Sequence, residues 1–228
     1  MRLAIKMEIQ AELAAVRQYC VEALPSETLA LMAQGAEELL QTGIMEQSLK
    51  KGDRIPSFSL PNQSDTPITS DAILGQGFMV LSFLRGSWCP YCQIELAGLE
   101  VVLPSIRDLG ANAVVITPQV RRWRKQQAET EIPFDVEILR DRGNQIARQF
   151  GLVFQVPAYL RPIYQGLGFA LPRFNGDDSF ELPIPATYVV NPQGEIIYSF
   201  VNADFSQRPD PIEIIIHLRR FSAAAAEA

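Results

Sequence analysis

The alternation of apolar and polar residues changes character near Lys51. Before it, Leu3, Met7, Leu13, Val16 and Tyr19 recur at roughly helical spacing, until Pro25 interrupts the run. The next segment, "ETLALMAQGAEELLQTG", repeats that spacing, with Ser26 placed to cap it and Gly43 to end it. "KKGDRIPSFSLPNQSDTPI" then brings the Pro, Gly, Asn and Asp of turns. The pattern predicts a helical N-terminal extension over residues 1–50 and a separate domain over residues 51–228.

Beyond Lys51, short apolar runs alternate with helical stripes. "FMVLSFL" (78–84) is continuously apolar over strand length, as expected of a strand covered on both faces. "ANAVVIT" (111–117) and "FDVEIL" (134–139) are further strand candidates. Between the first two, Ile94, Leu99, Val102, Leu103 and Ile106 fit one helical stripe, which Pro104 should bend for want of an amide donor. "GNQIARQFGLV" reads as another helix, and the alternation implies βαβ units with a parallel sheet. "PATYVVNPQGEIIYSFV" (185–201) reads as an antiparallel hairpin around Asn-Pro-Gln-Gly, and "DPIEIIIHLRRFSAAAAEA" as a terminal helix. The expected class is α/β, a central mixed sheet flanked by helices.

Composition narrows the function. The chain has 228 residues, enough for a sizeable core without disulfide staples. Its net charge of −6 lacks the basic excess that a phosphate-binding surface needs, so no nucleic acid is expected as a partner. Glu8 and Glu12 interrupt what would be the apolar core of a signal peptide, and no apolar run is long enough to span a bilayer. The expectation is a cytoplasmic chain with no membrane partner. Three cysteines make no disulfide framework, and in a reducing compartment a close pair points to catalysis or metal binding.

That pair lies in "FLRGSWCPYCQIEL" (83–96). Cys89 stands where the apolar strand ends and a helix begins, with Pro90 at the first helical position. First-turn amides and the helix dipole then favour thiolate, and such settings lower a cysteine pKa from ~8.5 to roughly 3.5–7.5. Cys92, one turn further on and less exposed, is placed to attack an adduct on Cys89 and close a disulfide. Other readings are two buried cysteines acting as small hydrophobes, and a metal site. A zinc ion would need two more ligands, and only Cys20 and His217 remain, both in distant apolar helical segments.

The residues also carry a resemblance. "RGSWCPYC" at the end of a buried strand, with "IPATYVVNPQGEII" downstream, resembles the thioredoxin fold, in which a cis-proline precedes the later strand; Pro185 matches that position. The order of "LKKGDRIPSFSLPN", "VLSFLRGSWCPYCQIEL", "RDLGANAVVITPQ", "FGLVF", "RPIYQGLGFALPRFNGDDSFELPIPATYVVNPQGEI" and "VNADFSQRPDP" resembles the peroxiredoxin-like branch of the alkyl hydroperoxide reductase/thiol-specific antioxidant (AhpC/TSA, redoxin) family. It implies a thioredoxin-like fold and a thiol-dependent oxidoreductase acting on a hydroperoxide or disulfide substrate. It further implies Cys89 and Cys92 as catalytic residues and an external dithiol, thioredoxin, glutaredoxin or glutathione, as reductant. Typical members carry a proline and a threonine ahead of the reactive cysteine, where this chain has Ser82 and Gly86, and an arginine before the late strand, where it has Pro185. Arg85 is the candidate to replace that cation; the competing reading is a solvated residue at a strand end.

"CPYC" itself resembles glutaredoxins, so the alternative function is thiol–disulfide exchange with protein or glutathione disulfides. A [2Fe–2S] centre held by Cys89 from two chains, and a redox-sensing interaction module, are further alternatives. Trp88, Tyr91, Arg85 and Pro185 are the substrate-binding candidates. "GLG" (166–168) lacks the full dinucleotide pattern, so no nicotinamide or flavin cofactor is expected. "RRWRKQQ" (121–127) reads as a solvated helix face, and His217 as helix packing. Residues 153–182 form a long connection that either walls the cleft beside Cys89 or extends the core. Cys20 is expected as a buried or interface thiol, and the N-terminal helices as a sheet-edge cover or a homodimer contact.

Overall fold

The computed structural model describes residues 2–123, 125–127, 130–132 and 134–226. The principal elements are α1 (Arg2–Ala23), α2 (Ser26–Gln41), β1 (Phe78–Phe83), α3 (Pro90–Asp108), β2 (Ala111–Thr117), β3 (Glu137–Arg140), β4 (Ala186–Val190), β5 (Ile196–Val201) and α4 (Pro211–Ala226). The five strands form one mixed sheet in the order β5-β4-β1-β2-β3. β1 and β2 are parallel, with Phe78 opposite Ala111 and Phe83 opposite Ile116, and β2 and β3 are parallel. β4 runs antiparallel to both β1 and β5.

β1 is the central strand, and all six of its residues are buried. That explains its unbroken apolar run: with both faces covered there is no solvent side to make polar. Its side chains divide by period two. Val80 joins the core beneath α3, with Leu96, Leu99, Leu103 and Ile106, which Ile9 and Leu13 of α1 and Ile214 and Leu218 of α4 complete. Met79, Leu81 and Phe83 face the other way, against Phe58, Phe150, Leu152 and Tyr188. Phe150 lies 4.7 Å from Phe83 and 5.4 Å from Tyr188, ring centre to ring centre.

Several local expectations need adjusting. Ser26 is the first residue of α2 and makes no side-chain cap; Pro25 takes the cap position with an extended backbone that its ring favours, and its carbonyl accepts from the Leu29 amide at 3.1 Å. Gly43, at φ 70°, ends that region as expected. α3 runs through Pro104, which lies on the exposed face where water can stand in for the missing amide. The third strand starts later than its apolar run, because the ladder to β2 begins with Glu137 opposite Val114.

The basic stretch 121–127 is not a solvated helix face. Lys125–Gln127 pairs antiparallel with Thr130–Ile132, and Trp123 is buried with its ring 6.0 Å from Phe134. Gln63 exchanges two hydrogen bonds with the Trp123 backbone, at 2.8 and 2.9 Å. Burying an indole outweighs a weak helical charge pattern. Arg124 in that stretch lies outside the described residues.

The long connection folds on itself. Val153–Gln155 pairs with Glu181–Pro183, and between them lie a 3-10 turn (Ala158–Leu160) and two short helices, Arg161–Gly166 and Leu171–Asn175. Leu160, Tyr164 and Leu171 enter the core, so the segment extends the core, and Tyr164 and Phe169 also reach Arg85 and Trp88 beside the cysteine pair. No helix among the described residues is long and apolar enough to cross a membrane.

Candidate active site

β1 delivers the chain to the site. After Leu84, whose amide still bonds the Ile116 carbonyl at 2.9 Å, the backbone turns through Gly86 at φ 143°. A Cβ there would lie 2.6 Å from Trp88 Nε1, so glycine is required both for the dihedral and for the indole folded over it. The Ser87 amide and hydroxyl both donate to Gln119 Oε1 at 2.8 Å, pinning the loop to the end of β2. Cys89 is the N-cap residue of α3 with extended backbone (φ −90°, ψ 114°), and Pro90 opens the helix as its sequence position predicts.

Both sulfurs are reduced and deeply buried: Cys89 is 2% exposed and Cys92 0%. The expected difference in exposure between them is therefore negligible. Burial alone pushes the Cys89 thiol up, yet its pKa falls to about 6. A hydrogen bond from Cys92, the Arg85 and Arg208 guanidiniums and the Cys92 amide together overcome the desolvation. The same burial, with the proton shared toward Cys89, pushes Cys92 well above the ordinary thiol range. Helix amides are the source of a low pKa expected from sequence; in the structure Cys92 and two buried cations contribute most of it.

Arg85 is not a solvated strand-end residue. It is 2% exposed, stacked over Trp88 at 4.8 Å and Phe205 at 4.6 Å, and it donates to the Tyr164 hydroxyl. Trp88 and Tyr91 are packed rather than presented: Trp88 lies against Tyr164 and Phe169, and Tyr91 against Phe205. Burial raises the Tyr91 phenol to about 12, and the half-buried Cys20 thiol sits beside its hydroxyl. Pro185 is buried and lines a cavity of about 30 Å³ with Arg85, Tyr164 and Phe205. It is not a cis-proline, since no described peptide bond is cis. The trans form is intrinsically favoured by about 0.5–1 kcal/mol, and here the Pro185 carbonyl accepts from the Asn202 amide at 3.2 Å as the chain enters β4 extended.

Two buried side chains beside the dithiol were not singled out from the sequence. Arg208, 4% exposed, reaches the dithiol from the loop after β5; its Nη2 donates to Cys92 Sγ at 3.4 Å. Its Nε forms an ion pair at 2.6 Å with Glu95, itself 3% exposed on α3. Glu95 also accepts from the Thr187 hydroxyl at 2.9 Å, and Ser82 bonds Thr187 at 3.0 Å. Ser82, standing where the family carries proline, thus supports this buried network. Burial raises the Glu95 carboxyl to about 7 against the pull of Arg208. Glu95 was legible as a charge within the apolar face of α3, three residues after Cys92. Arg208 is 116 residues from Cys92 and had no local signal.

His217 stacks on Tyr198 at 4.5 Å, in keeping with a packing role. No group of three or more His, Cys, Asp or Glu among the described residues is arranged to hold a metal.

Comparison with known proteins agrees with this architecture. The model of the AhpC/TSA family matches residues 51–199, which include both cysteines and Glu95 but end before Arg208. Peroxiredoxin Bcp of Escherichia coli strain K12 is 27% identical over 119 residues, 52% of this chain and 74% of that protein. The crystal structure of peroxidoxin BcpB from Mycobacterium tuberculosis aligns with a TM-score of 0.53 and 19% identity over 75% of this chain and 97% of that one. The reduced 2-Cys peroxiredoxin of Plasmodium vivax aligns at 0.57 and 14%, over 78% and 84%. At such identities the solved structures speak for the fold, which is thioredoxin-like. With the family model covering well over half its length, the chain belongs to the AhpC/TSA family.

Proposed function

We propose that this protein is a thiol-dependent peroxidase that uses Cys89 as the attacking sulfur and Cys92 as the resolving one. The observation that carries the reading is the placement of Cys89: a buried thiol at the N-cap of a helix, one turn from Cys92, whose sulfur accepts from the buried Arg208 guanidinium. Its thiolate attacks the O–O bond of a hydroperoxide and takes the terminal oxygen. The alkoxide released picks up a proton to leave as alcohol, or as water from hydrogen peroxide, and Cys89 becomes a sulfenic acid. Cys92 then attacks that sulfur, an S–S bond forms, the S–O bond breaks and water leaves. An external dithiol of thioredoxin, glutaredoxin or glutathione type exchanges with the disulfide and restores both thiols. Arg85 and Arg208 stabilise the anionic sulfur, and Trp88, Tyr91 and Pro185 shape its surroundings.

Thiol–disulfide exchange on protein substrates is the second reading, favoured by the Cys-Pro-Tyr-Cys motif. Burial argues for the peroxide. A protein disulfide must bring bulky backbone against the attacking sulfur, and a sulfur 2% exposed suits a small oxidant better. The same burial counts against a cluster shared between two chains. In this reading residues 1–50 are an extension that covers the redoxin domain of residues 51–228, and the cycle runs in the cytoplasm.

The test compares wild type, Cys89→Ser and Cys92→Ser in peroxide consumption coupled to a thioredoxin or glutathione system, and in insulin disulfide reduction. Wild type should consume peroxide far faster than it reduces insulin. Cys89→Ser should lose turnover, and Cys92→Ser should accumulate a sulfenic acid or a mixed disulfide on Cys89. Full peroxide turnover in Cys89→Ser would reject the assignment.

A further inference from the structure

The cycle proposed above leaves one proton unassigned. Cys92 has to lose its proton to attack Cys89, yet its sulfur is fully buried and strongly disfavours ionisation. Solvent hydroxide has poor access to such a group, so the proton needs a local acceptor.

One buried carboxylate is linked to Cys92 through Arg208. Cys92 and Glu95 are separated by one helical turn on α3 and face the same way. Arg208 touches both, with Nη2 on Cys92 Sγ at 3.4 Å and Nε on Glu95 at 2.6 Å. The other carboxylate oxygen is held by Thr187, which Ser82 supports in turn. A buried acid fixed by three elements at this spot is costly unless it is used or fully paired, and the cation it pairs with, Arg208, also serves the thiols.

We propose that Glu95 is the proton acceptor of the resolving step, taking the Cys92 proton as that sulfur attacks the Cys89 sulfenic acid, while Arg208 holds the anion being formed. The Cys92 S–H bond breaks toward Glu95, its electron pair forms the S–S bond, and the Cys89 S–O bond breaks to give hydroxide. Glu95 returns the proton to that hydroxide, water leaves and the carboxylate is regenerated. Timing follows from charge. While Cys89 is a thiolate, Arg208 faces three acidic groups, Cys89, Cys92 and Glu95. Once Cys89 is a neutral sulfenic acid, that cation is left to Glu95 and Cys92, and Glu95 ionises as it is needed.

Other groups around Glu95 must be weighed in any pH profile. They are Tyr198 of β5, raised above its ordinary range and bonded to Glu213; Asp210, which acts on Tyr198 from the loop before α4; and His217 of α4, stacked on the same ring. None of them bridges to a cysteine as Arg208 does.

The experiment is a single turnover of the full chain with one equivalent of hydrogen peroxide. Sulfenic acid is trapped by dimedone and disulfide is counted after acid quench, from about pH 5 to about pH 9. Wild-type disulfide formation should slow by about tenfold per unit as pH falls through the range where Glu95 of the sulfenic acid form takes up its proton, which lies at or below the value of about 7 in the reduced protein. Glu95→Gln should lose that inflection and resolve roughly 10²-fold more slowly, with a far smaller effect on sulfenic acid formation. Glu95→Asp, which keeps a carboxylate, should restore an inflection, and it tests the idea if the glutamine variant does not fold. A wild type that forms no Cys89–Cys92 disulfide overturns the dithiol cycle and this role with it. A wild type that forms it, with Glu95→Gln resolving at the same rate and pH dependence, overturns the role of Glu95 alone. An Asp variant without any inflection does the same.

Discussion

At the scale of single residues, Cys89 is decided by competition between burial and charge. Desolvation disfavours the thiolate, while Cys92, Arg85 and Arg208 favour it and prevail. With the pKa lowered to about 6, thiolate predominates above that value and is lost below it. Alkylation of Cys89 by iodoacetamide, measured in Cys92→Ala against wild type, should therefore fall as pH drops through about 6 in wild type and at a higher pH once position 92 no longer donates. Arg85→Met keeps the stem but removes a cation, and should raise the wild-type midpoint by about one unit or more. The same shift is a stability statement. The unfolded thiol titrates near ~8.5, so the stabilisation is fully present above that value and is lost as pH falls through the folded value. The stability difference between wild type and Cys89→Ser should thus widen from about pH 6 to about pH 8.5 in denaturant titrations. A difference that stays flat across that window would contradict the ionised buried thiol.

At the scale of elements, α3 is the piece on which the site is organised. Its N-terminus presents Cys89, its first turns carry Cys92 and Glu95, and its apolar stripe fixes it against the sheet. Its setting depends on a close approach of three helices at Gly98. A Cβ there would lie 2.6 Å from Ile9 of α1 and 3.1 Å from Pro211 at the start of α4. Alanine asks that the end of the Ile9 side chain shift and the Pro211 ring give slightly, whereas a branched side chain must push helices apart. Gly98→Val should accordingly cost about 1–3 kcal/mol in urea unfolding, more than Gly98→Ala. The local signals for this helix were strong, since periodicity, Pro90 and the cysteine spacing all agree. The basic stretch around Trp123 shows the opposite case: its charge pattern carried little energy, and burial of one indole against Phe134 redirected the chain.

At the scale of the whole molecule, the N-terminal helix and the loop after β5 meet over the dithiol. Leu13 is fully buried in the core under α3, Arg17 donates to the Ser206 carbonyl at 3.2 Å and Gln10 to that of Arg208 at 3.5 Å. Deleting residues 1–24 should remove Ile9 and Leu13 from the core, at about 1.5–3 kcal/mol each, and loosen the loop that carries Arg208. A lower thermal midpoint and faster alkylation of both cysteines are the expected readouts; an unchanged alkylation rate would separate α1 from the site. By itself the sequence determined a buried strand, read as residues 78–84, the helix behind it, a hairpin read as 185–201, and the strand–Cys–Pro–helix junction. Those features rest on side-chain period and backbone chemistry among near neighbours, which any window of the chain contains. Only the tertiary structure decided that Arg85 is buried, that Pro185 is trans, and that Arg208 and Glu95 stand against Cys92. Charge pairing depends on distance through space in a water-poor interior, and residues 116 positions apart acquire such a distance only when the sheet and its helices close around them.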